Sequence, residues 1–355
     1  MRTYVREPEY DGLDAVTARS KARYDAQVIM DQMSFQSFSL GAGRKDDTHG
    51  IKRILWHIHT HGLWKEKTKY LKEGDIFLIQ SPCTDFEFFF PGLVKKLVKR
   101  KVRVILLIHD LERYRHMKDK NSSLGRKLRF RAEEKTLIYA SSLIVHNDKM
   151  KADLAGSGID DKKMVSLEIF DYLAAEADTA ERKNAVDMPL IVAGNLSKAK
   201  SGYLYELPDN TEFNLFGMGY SGEPKPNINI KGSFKPEELP SKLDGSFGLV
   251  WDGPSAESCI GATGEYLKIN NPHKTSLYLA SGIPVAIWKE AALAKLIEEN
   301  GCGITLENIG EAKEKAEKIS PEEYGKMVGN TRRIGAKLRA GYYLKTAISK
   351  AIDMG

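Results

Sequence analysis

Cysteine and long apolar runs are scarce in this chain of 355 residues. The cysteines, Cys83, Cys259 and Cys302, lie far apart and form no CxxC pair. We therefore expect no disulfide framework and a reducing compartment, the cytoplasm. The aliphatic runs, such as Val104 to Ile108, are too short to span a bilayer, and the first residues contain no apolar signal core. The sequence predicts neither export nor a transmembrane segment.

Several motifs of common enzyme classes are also missing. The run Gly41-Ala42-Gly43 is not continued as GxGxxG, and the chain contains neither a Walker A lysine nor a GxSxG elbow. These absences argue against an NAD enzyme, a P-loop enzyme and an esterase.

The composition that remains is that of a globular protein, with 42% hydrophobic and 29% charged residues. The length suggests two domains of similar size, and the cleft between two domains is the expected working site.

Positive charge is concentrated in one part of the chain. Residues 91–150 contain sixteen Lys and Arg against six Asp and Glu, whereas the net charge of the whole chain is +6. Such a segment favours contact with anionic lipid, nucleic acid or a phosphorylated substrate, although a solvated helix surface would look the same. Nucleic acid is disfavoured, because the chain lacks the interleaved aromatics of RNA-binding modules and any recognition-helix motif.

Short apolar runs alternate with helical patterns in the first half, which is typical of a parallel sheet covered on both faces. A helix is predicted near Ser20 to Met33. Strands are predicted at Thr3 to Val5, Phe35 to Ser39, Ile76 to Gln80, Val104 to Ile108 and Leu143 to Val145.

The alternation restarts after residues 174–187, which we interpret as a linker. We predict further strands at Leu190 to Ala193, Phe213 to Phe216, Ile228 to Ile230, Phe247 to Trp251, Val285 to Ile287 and Gly303 to Thr305. The fold class is thus α/β, with two doubly wound, Rossmann-like domains. The predicted domains are residues 1–175 and 188–330, and residues 331–355 form a helix that crosses back to the first domain.

The segment from Asn271 to Ser276 carries the clearest chemical signal. Asn271 is a suitable N-cap, Pro272 a suitable first helical residue, and Gly282 suits the position after the helix end. Lys274 in the first turn opposes the helix dipole, a conflict that a bound anion would resolve. We predict a diphosphate cradle formed by Lys274, Thr275, Ser276 and the free N–H groups of the helix, with an ordinary surface lysine as the alternative.

Two other loops of the second domain are candidates for the same ligand. Gly194, Asn195 and Lys198 follow the first strand of that domain, where a parallel sheet places its ligand loop. Trp251 and Asp252 end another strand, and the tryptophan either stacks on a ring of the ligand or closes the core.

In the first domain, His109 and Asp110 follow the strand Val104 to Ile108. Either is a candidate general base for an acceptor hydroxyl, with the other orienting it; a structural pair is the alternative. The segment Thr17 to Lys21, which includes Ser20, is a second loop that we expect at the cleft.

A competing signal is the run His57-Ile58-His59-Thr60-His61. On a strand these three histidines would share a face with zinc-ligand spacing, which would suit a metal-dependent hydrolase. No clear carboxylate or cysteine partner lies nearby, so we expect loop or supporting histidines instead.

Taken together, four segments resemble the bacterial galactofuranosyltransferases of polysaccharide assembly. They are GSFGLVWDGP, NNPHKTSLYLASGIPVAIWKEAALAKLIEENGCGITL, VAGNLSK and the HD of ILLIHD. The chain is also similar to the glucosyltransferase that extends the glycan of streptococcal serine-rich adhesins. The resemblance covers most of the chain and is strongest from Gly245 to Leu306.

The resemblance implies a GT-B fold in which the second domain binds a UDP-sugar and the first binds the acceptor, with no metal required. The adhesin enzyme has an arginine at the position of Lys198, and its phosphate-segment lysine falls at Lys274. Many retaining GT-B enzymes carry two glutamates that would fall at Ile269 and Leu277, so the resemblance favours an inverting enzyme. It implies transfer of galactofuranose in a β-1,6 linkage to a surface polysaccharide, with UDP-glucose transfer to protein-linked GlcNAc as the alternative.

We also expect a homo-oligomer. If the acceptor is lipid-linked, the basic span from Lys95 to Lys135 would dock the enzyme on an anionic membrane.

Overall fold

The computed structural model describes residues 1–7, 18–41, 50–83, 88–115, 124–175 and 185–354. The chain divides into two units, and each is discontinuous in sequence. The first comprises Met1–Glu9, Ala26–Leu167 and Leu344–Gly355, and the second comprises Tyr10–Asp25 and Glu168–Tyr343. This division differs from the predicted boundary between residues 175 and 188, because contacts distant in sequence hold the start of the first helix and the segment 168–175 in the second unit.

Those contacts centre on one buried ion pair. The Lys21 ammonium bonds to the Asp25 carboxylate at 2.5 Å and donates to the carbonyl of Leu173 at 2.6 Å. The Asp25 carboxylate also accepts from the backbone N–H of Leu173. The segment 168–175 is thereby fixed to the first turns of the helix.

In the first unit, six parallel strands form one sheet in the order β2-β1-β3-β4-β5-β6. Helices connect the strands. Strand β4 lies at the centre of the core, and its residues Val104 to Ile108 are fully buried. The strands are β1 (Arg2–Val5), β2 (Gln36–Phe38), β3 (Ile76–Ser81), β4 (Arg103–Ile108), β5 (Ser142–Val145) and β6 (Met164–Ser166), and the helices are α1 (Ala18–Gln32), α2 (Ile51–Thr68), α3 (Phe90–Lys99), α4 (Glu112–Arg115), α5 (Leu124–Tyr139) and α6 (Asp148–Gly156).

The second unit contains a parallel sheet of the order β12-β11-β10-β7-β8-β9. The strands are β7 (Leu190–Asn195), β8 (Phe213–Met218), β9 (Ile228–Gly232), β10 (Gly248–Val250), β11 (Val285–Trp288) and β12 (Gly303–Leu306). The helices are α7 (Leu239–Lys242), α8 (Gly261–Tyr266), α9 (His273–Ala280), α10 (Ala294–Glu299), α11 (Glu311–Glu317), α12 (Pro321–Arg339) and α13 (Tyr342–Asp353), the last of which continues into the first unit.

All eleven strands predicted above are confirmed within a few residues, and two parallel sheets of six strands confirm the doubly wound α/β prediction. The strand β6 was not predicted, because three residues ending in serine carry little apolar signal. The predicted linker lies largely outside the described residues. No helix among the described residues combines the length and the apolar character that crossing a bilayer requires.

The prediction for the histidine run was wrong in its geometry. His57, His59 and His61 lie on helix α2, not on a strand. At 100° per residue His59 points about 200° away from His57, so the three rings do not share a face. Helix periodicity prevails because the buried residues of α2 recur at His57, Thr60, Trp64 and Thr68.

Candidate functional site

The strand order of the second sheet reverses between β7 and β10. The chain runs outward from β7 through β8 to β9, and outward on the other side from β10 through β11 to β12. The register between β7 and β10 contains a single pair, Gly248 with Ile191. Doubly wound sheets bind their ligands outside the carboxyl ends of the strands at such a reversal. The candidate site of this unit is therefore the carboxyl edge of β7 and β10.

Helix α9 packs against this point through Tyr278. Its buried hydroxyl accepts the backbone N–H of Ala193 at 2.8 Å and lies 3.5 Å from the carbonyl oxygens of Ile191 and Leu249. The ring covers Gly248, where a Cβ atom would lie 2.1 Å from the Tyr278 Cγ. β7 and β10 pair at one position only, and the Tyr278 hydroxyl satisfies a backbone N–H of β7 that a longer ladder would have paired.

Lys274, in the first turn of α9, reaches the carboxyl end of β10. Its ammonium donates to the carbonyl of Trp251 at 3.0 Å and to Oδ1 of Asp252 at 2.9 Å. Burial alone would lower the pKa of Lys274, but the charge and hydrogen bond of Asp252 outweigh burial and raise it. The Lys274 ammonium is therefore held charged at the reversal point, with two of its three N–H donors committed to Asp252 and Trp251.

The other residues expected near this helix have different roles. The N-cap of α9 is Pro272, one residue later than predicted, and no side chain caps the helix. The side-chain amide of Asn271 donates to the carbonyl of Glu168, and the Ser276 hydroxyl donates to the carbonyl of Phe170 at 2.6 Å. A diphosphate needs hydrogen-bond donors, and the Ser276 hydroxyl already donates its only proton to Phe170. Ser276 therefore anchors the segment 168–170 and does not donate to a ligand.

Thr275 differs from its neighbours. Its side chain is fully buried, and its Oγ1 has no hydrogen-bond partner within the part of the chain that the structure describes. Its backbone N–H closes a turn onto the carbonyl of Pro272 at 3.0 Å. Gly282, with φ of 73°, follows the helix in the left-handed conformation that the sequence predicted.

Gly194 and Asn195 are the last two residues of β7 and do not follow the strand as predicted; the exposed turn begins with them. Gly194 has φ of 130°, and on the adjacent β8 a Cβ at Gly217 would lie 1.8 Å from the carbonyl oxygen of Gly194. The Asn195 carboxamide accepts the backbone N–H of Ser197 at 2.9 Å, which closes the turn. Lys198 is exposed, and its ammonium lies 5.1 Å from the centre of the Tyr205 ring.

The loops after β7 and β10 are in contact. The backbone N–H of Tyr203 donates to the carbonyl of Gly253, and a Cβ on Gly202 would meet Pro254 at 2.8 Å. Lys198 therefore belongs to a loop that touches the loop after β10, and Lys274 bonds to Trp251 and Asp252 at the start of that second loop. Their convergence on one ligand stays a prediction.

For Trp251, the structure favours the core alternative. The indole is fully buried, and its Nε1 donates to the carbonyl of Ser255 at 2.9 Å. It packs edge-on against Trp288 with ring centres 6.4 Å apart. The side chain supports the strand end and presents its backbone carbonyl to Lys274.

In the first unit, His109 and Asp110 lie where they were expected, directly after β4. The His109 Nε2 is 2.7 Å from the side-chain oxygen of Gln80, the second-last residue of the neighbouring β3. The His109 backbone N–H donates to the carbonyl of Ser81 at 2.8 Å. Both His109 and Asp110 are partly exposed, so each can reach solvent or a ligand.

His146, at the end of β5, belongs to the same edge and was not recognised in the sequence. It is buried, hydrogen-bonds to the backbone at Ile108 and His109, and lies within electrostatic range of Asp110. Burial lowers the pKa of His146 to about 4, although Asp110 and these hydrogen bonds act in the opposite direction. It is therefore neutral at pH 7 and supports the turn that carries the candidate base. The signal for it was a histidine at a strand's carboxyl end, the same signal that identified His109.

The loop expected from Thr17 to Lys21 is only partly described. Thr17 and the side chain of Ser20 lie outside the described residues. The prediction of a loop was wrong for Ala18 to Lys21, because these residues form the first turn of α1. Lys21 is buried, 4.8 Å from the centre of the Tyr172 ring, and Tyr172 packs against His273 of α9.

Comparison with known proteins agrees with this architecture. Two family models match, the "Glucosyltransferase 3-like, C-terminal domain" over residues 190–351 and the "Glucosyltransferase 3-like, N-terminal domain" over residues 9–169. The lipopolysaccharide glycosyltransferase WaaG aligns with a TM-score of 0.56 and 12% identity, covering 100% of this chain and 99% of its own. HepE of Anabaena in complex with UDP-glucose aligns with a TM-score of 0.54 and 12% identity, covering 99% and 98%. The fold is GT-B, and the chain is a glycosyltransferase.

Curated relatives define the family more closely. The β-1,6-galactofuranosyltransferase WbbI of Escherichia coli (strain K12) is 36% identical over 289 residues, covering 80% of this chain and 81% of its own. Glucosyltransferase 3 of Streptococcus gordonii is 27% identical over 285 residues, covering 79% of each chain. The chain belongs to the Glucosyltransferase 3-like family, which confirms the resemblance seen in the sequence.

Proposed function

We propose that this glycosyltransferase transfers galactofuranose from UDP-galactofuranose to a hydroxyl of a surface polysaccharide, forming a β-1,6 linkage with inversion. The observation that carries the proposal is the Lys274 ammonium, fixed by Asp252 and the Trp251 carbonyl at the reversal point of the second sheet. The 36% identity with a galactofuranosyltransferase supports the donor and the linkage.

The donor diphosphate binds between the N-terminus of α9 and the Gly194-Asn195 turn. Lys274 in the first turn of α9 is the fixed cation, and Lys198 in the loop after β7 supplies the second. As the bond between the sugar C1 and the UDP oxygen breaks, negative charge grows on the diphosphate. A positive charge held in place before the reaction stabilises that developing charge without reorganisation. Neutralisation by protein groups requires no metal ion.

Acceptor activation is assigned to the first unit. Asp110 takes the proton from the acceptor hydroxyl, or His109 takes it with Asp110 orienting the ring. The deprotonated oxygen attacks C1 on the face opposite UDP, which inverts the anomeric configuration in a single displacement. The positions of the two glutamates found in many retaining enzymes are occupied here by Ile269 and Leu277, which supports inversion.

The experiment is calorimetric titration with UDP, followed by product analysis. A charge-assisted hydrogen bond contributes about 1.5–3 kcal/mol, so Lys274→Met should raise Kd for UDP by about 10- to 150-fold. Lys198→Met is the second variant, because an exposed lysine can be replaced without disturbing the fold. Lys326→Met, on the exposed face of α12, is the matched control and should bind UDP normally. Unchanged UDP affinity in both Lys274→Met and Lys198→Met would refute the donor site.

Glucosyl transfer to protein-linked GlcNAc is the second candidate, favoured by the 27% identity with glucosyltransferase 3 of Streptococcus gordonii. Parallel assays with UDP-galactofuranose and UDP-glucose separate the two candidates. Turnover of UDP-galactofuranose with a β-configured product, read by nuclear magnetic resonance of the anomeric proton, is the expected result. Turnover of UDP-glucose but not of UDP-galactofuranose would refute the first candidate and support the second.

The acceptor is proposed to be lipid-linked, with the enzyme working at the cytoplasmic face of the membrane. The basic character of residues 91–150 supports this placement, because cations near an anionic leaflet are each worth about 1 kcal/mol.

A further inference from the structure

Helix α2 of the first unit exposes an aliphatic stripe. Ile51, Ile54, Leu55 and Ile58 are 76%, 59%, 59% and 55% exposed. Their spacing of i, i+3, i+4 and i+7 places all four on one face of the helix. Single exposed aliphatic residues are ordinary on a protein surface, whereas a contiguous group of this kind marks an interaction site.

The stripe is not the face that packs on the core. The opposite side of α2 provides the buried residues, with Trp64 fully enclosed against the rings of Phe77 and Phe90. The helix therefore has a buried face that folding uses and a separate apolar face that folding leaves exposed. Phe89, half exposed, lies 5.4 Å from the ring of His61 and extends the outer apolar surface.

Positive charge lies near the stripe. Lys52 and Lys65 on α2 are exposed. On the buried side of the helix, burial lowers the pKa of His57 to about 4, and the charges of Arg53 and Arg129 add to this effect. Arg129 of helix α5 is thus within electrostatic range of α2. The exposed face of α5 carries cations at i, i+4 and i+8, namely Lys127, Arg131 and Lys135, together with the half-exposed Leu128.

We infer that the outer face of α2, defined by Ile51, Ile54, Leu55 and Ile58, inserts into the headgroup region of an anionic bilayer, with the exposed cations of α2 and α5 binding lipid phosphates. A helix with an apolar face and flanking cations lies in the plane of the interface, with its apolar side chains buried about 5–10 Å deep. This inference rests on the proposed function, in which the acceptor is lipid-linked.

A second copy of the chain is a poorer occupant. A two-fold symmetric contact would bring the same patch of both copies face to face. The cations around the stripe would then oppose each other across the contact, which is unfavourable. An anionic bilayer offers apolar tails and opposite charge together, so it matches both properties of the surface.

The test is sedimentation of the full chain with vesicles, comparing pure phosphatidylcholine with an equal mixture of phosphatidylcholine and phosphatidylglycerol. The wild type should bind the anionic vesicles only, and less tightly at high salt. Ile54→Ser/Ile58→Ser should lower the partition coefficient by about tenfold or more, and Lys127→Gln/Arg131→Gln by about fivefold for each cation. Ile230→Ser, at an isoleucine of β9 that is 62% exposed, is the matched control and should bind as the wild type does.

A second measurement reports insertion directly. Gly62 extends the stripe by one turn, and a Cβ there meets nothing within 4 Å; the same is true of Gly325 on α12. Because all three native cysteines are buried, a polarity-sensitive dye can be placed on Gly62→Cys or, as control, on Gly325→Cys. Emission should shift to the blue with anionic vesicles for the first and not for the second.

The outcomes separate this inference from the proposed function. Normal UDP binding by a wild type that ignores anionic vesicles overturns the docking surface alone. Vesicle binding by a protein that neither binds UDP nor transfers sugar overturns the proposed function alone. The inference also fails if Ile54→Ser/Ile58→Ser keeps full vesicle binding, or if light scattering shows that these changes convert an oligomer to a monomer without affecting vesicle binding.

Discussion

Replacement of Tyr278 by phenylalanine tests how helix α9 is coupled to the candidate donor site. The substitution removes only the hydroxyl that accepts the backbone N–H of Ala193 at 2.8 Å. Ala193 is buried and immediately precedes the Gly194-Asn195 turn. Leaving a buried N–H without its acceptor costs about 1–3 kcal/mol. β10 pairs with β7 only at Ile191, so no strand pairing on that side compensates for the lost acceptor at Ala193. The last residues of β7 should therefore become less stable.

The local magnitude can be measured by hydrogen exchange. If the Ala193 amide exchanges by local opening, a loss of 1–3 kcal/mol accelerates its exchange by about 5- to 150-fold. Mass spectrometry of a peptide covering β7 should detect the change. The less stable turn should also raise Kd for UDP. If about 1.4 kcal/mol of binding free energy is lost, Kd rises about tenfold.

Tyr324→Phe is the matched control. The Tyr324 hydroxyl is also buried and donates to the carbonyl of Ser246, at the opposite end of β10 from the candidate site. Tyr324→Phe should therefore lower stability while leaving UDP affinity unchanged. Equal effects of the two variants on UDP binding, or unchanged protection of Ala193 in Tyr278→Phe, would show that the hydroxyl does not position the turn.

Two further changes probe the strand ends. Gly217→Ala should lower the free energy of unfolding by about 3 kcal/mol or more, because its Cβ would lie 1.8 Å from the Gly194 carbonyl oxygen. Thermal unfolding measures this loss. The control is Gly62→Ala, which should be neutral or stabilising because a Cβ there meets open space. The pKa of His146, lowered to about 4 by burial, predicts stability that is complete above about pH 6.5 and is lost as pH falls toward 4. For this group the loss is about 2 kcal/mol at pH 5, so urea unfolding at pH 7.5 and 5 should differ less in His146→Gln than in the wild type. Replacing the exposed His59 by glutamine should not alter the difference, and an equal change in both variants would contradict the assignment.

The sequence predicted the sheets better than the contacts between distant segments. Strand β4 was identifiable because five consecutive aliphatic residues fit a strand buried on both faces. Helix α2 was misread at its histidines, since five alternating residues mimic a strand while the helical burial pattern extends over eighteen residues. A window of helical length would have resolved the ambiguity.

The candidate donor site was predictable only where local rules along the chain determine it. Lys274 follows from local rules, because a cation in the first turn of a helix is unfavourable unless something compensates for it. The roles of Asn271 and Ser276 do not, because their partners, Glu168 and Phe170, are more than one hundred residues away in the chain. No local pattern distinguishes a hydroxyl that binds a carbonyl from one that binds a ligand.

The interleaving of the two units along the chain limits how the enzyme can be cut or recombined. Because residues 10–25 group with the second unit and residues 344–355 with the first, a fragment that starts at residue 188 would lack the buried Lys21–Asp25 pair and its bonds to Leu173. A chimera meant to exchange donor preference with a relative should therefore carry over residues 10–25 together with 168–343, and a single crossover point in the middle of the gene would join mismatched halves.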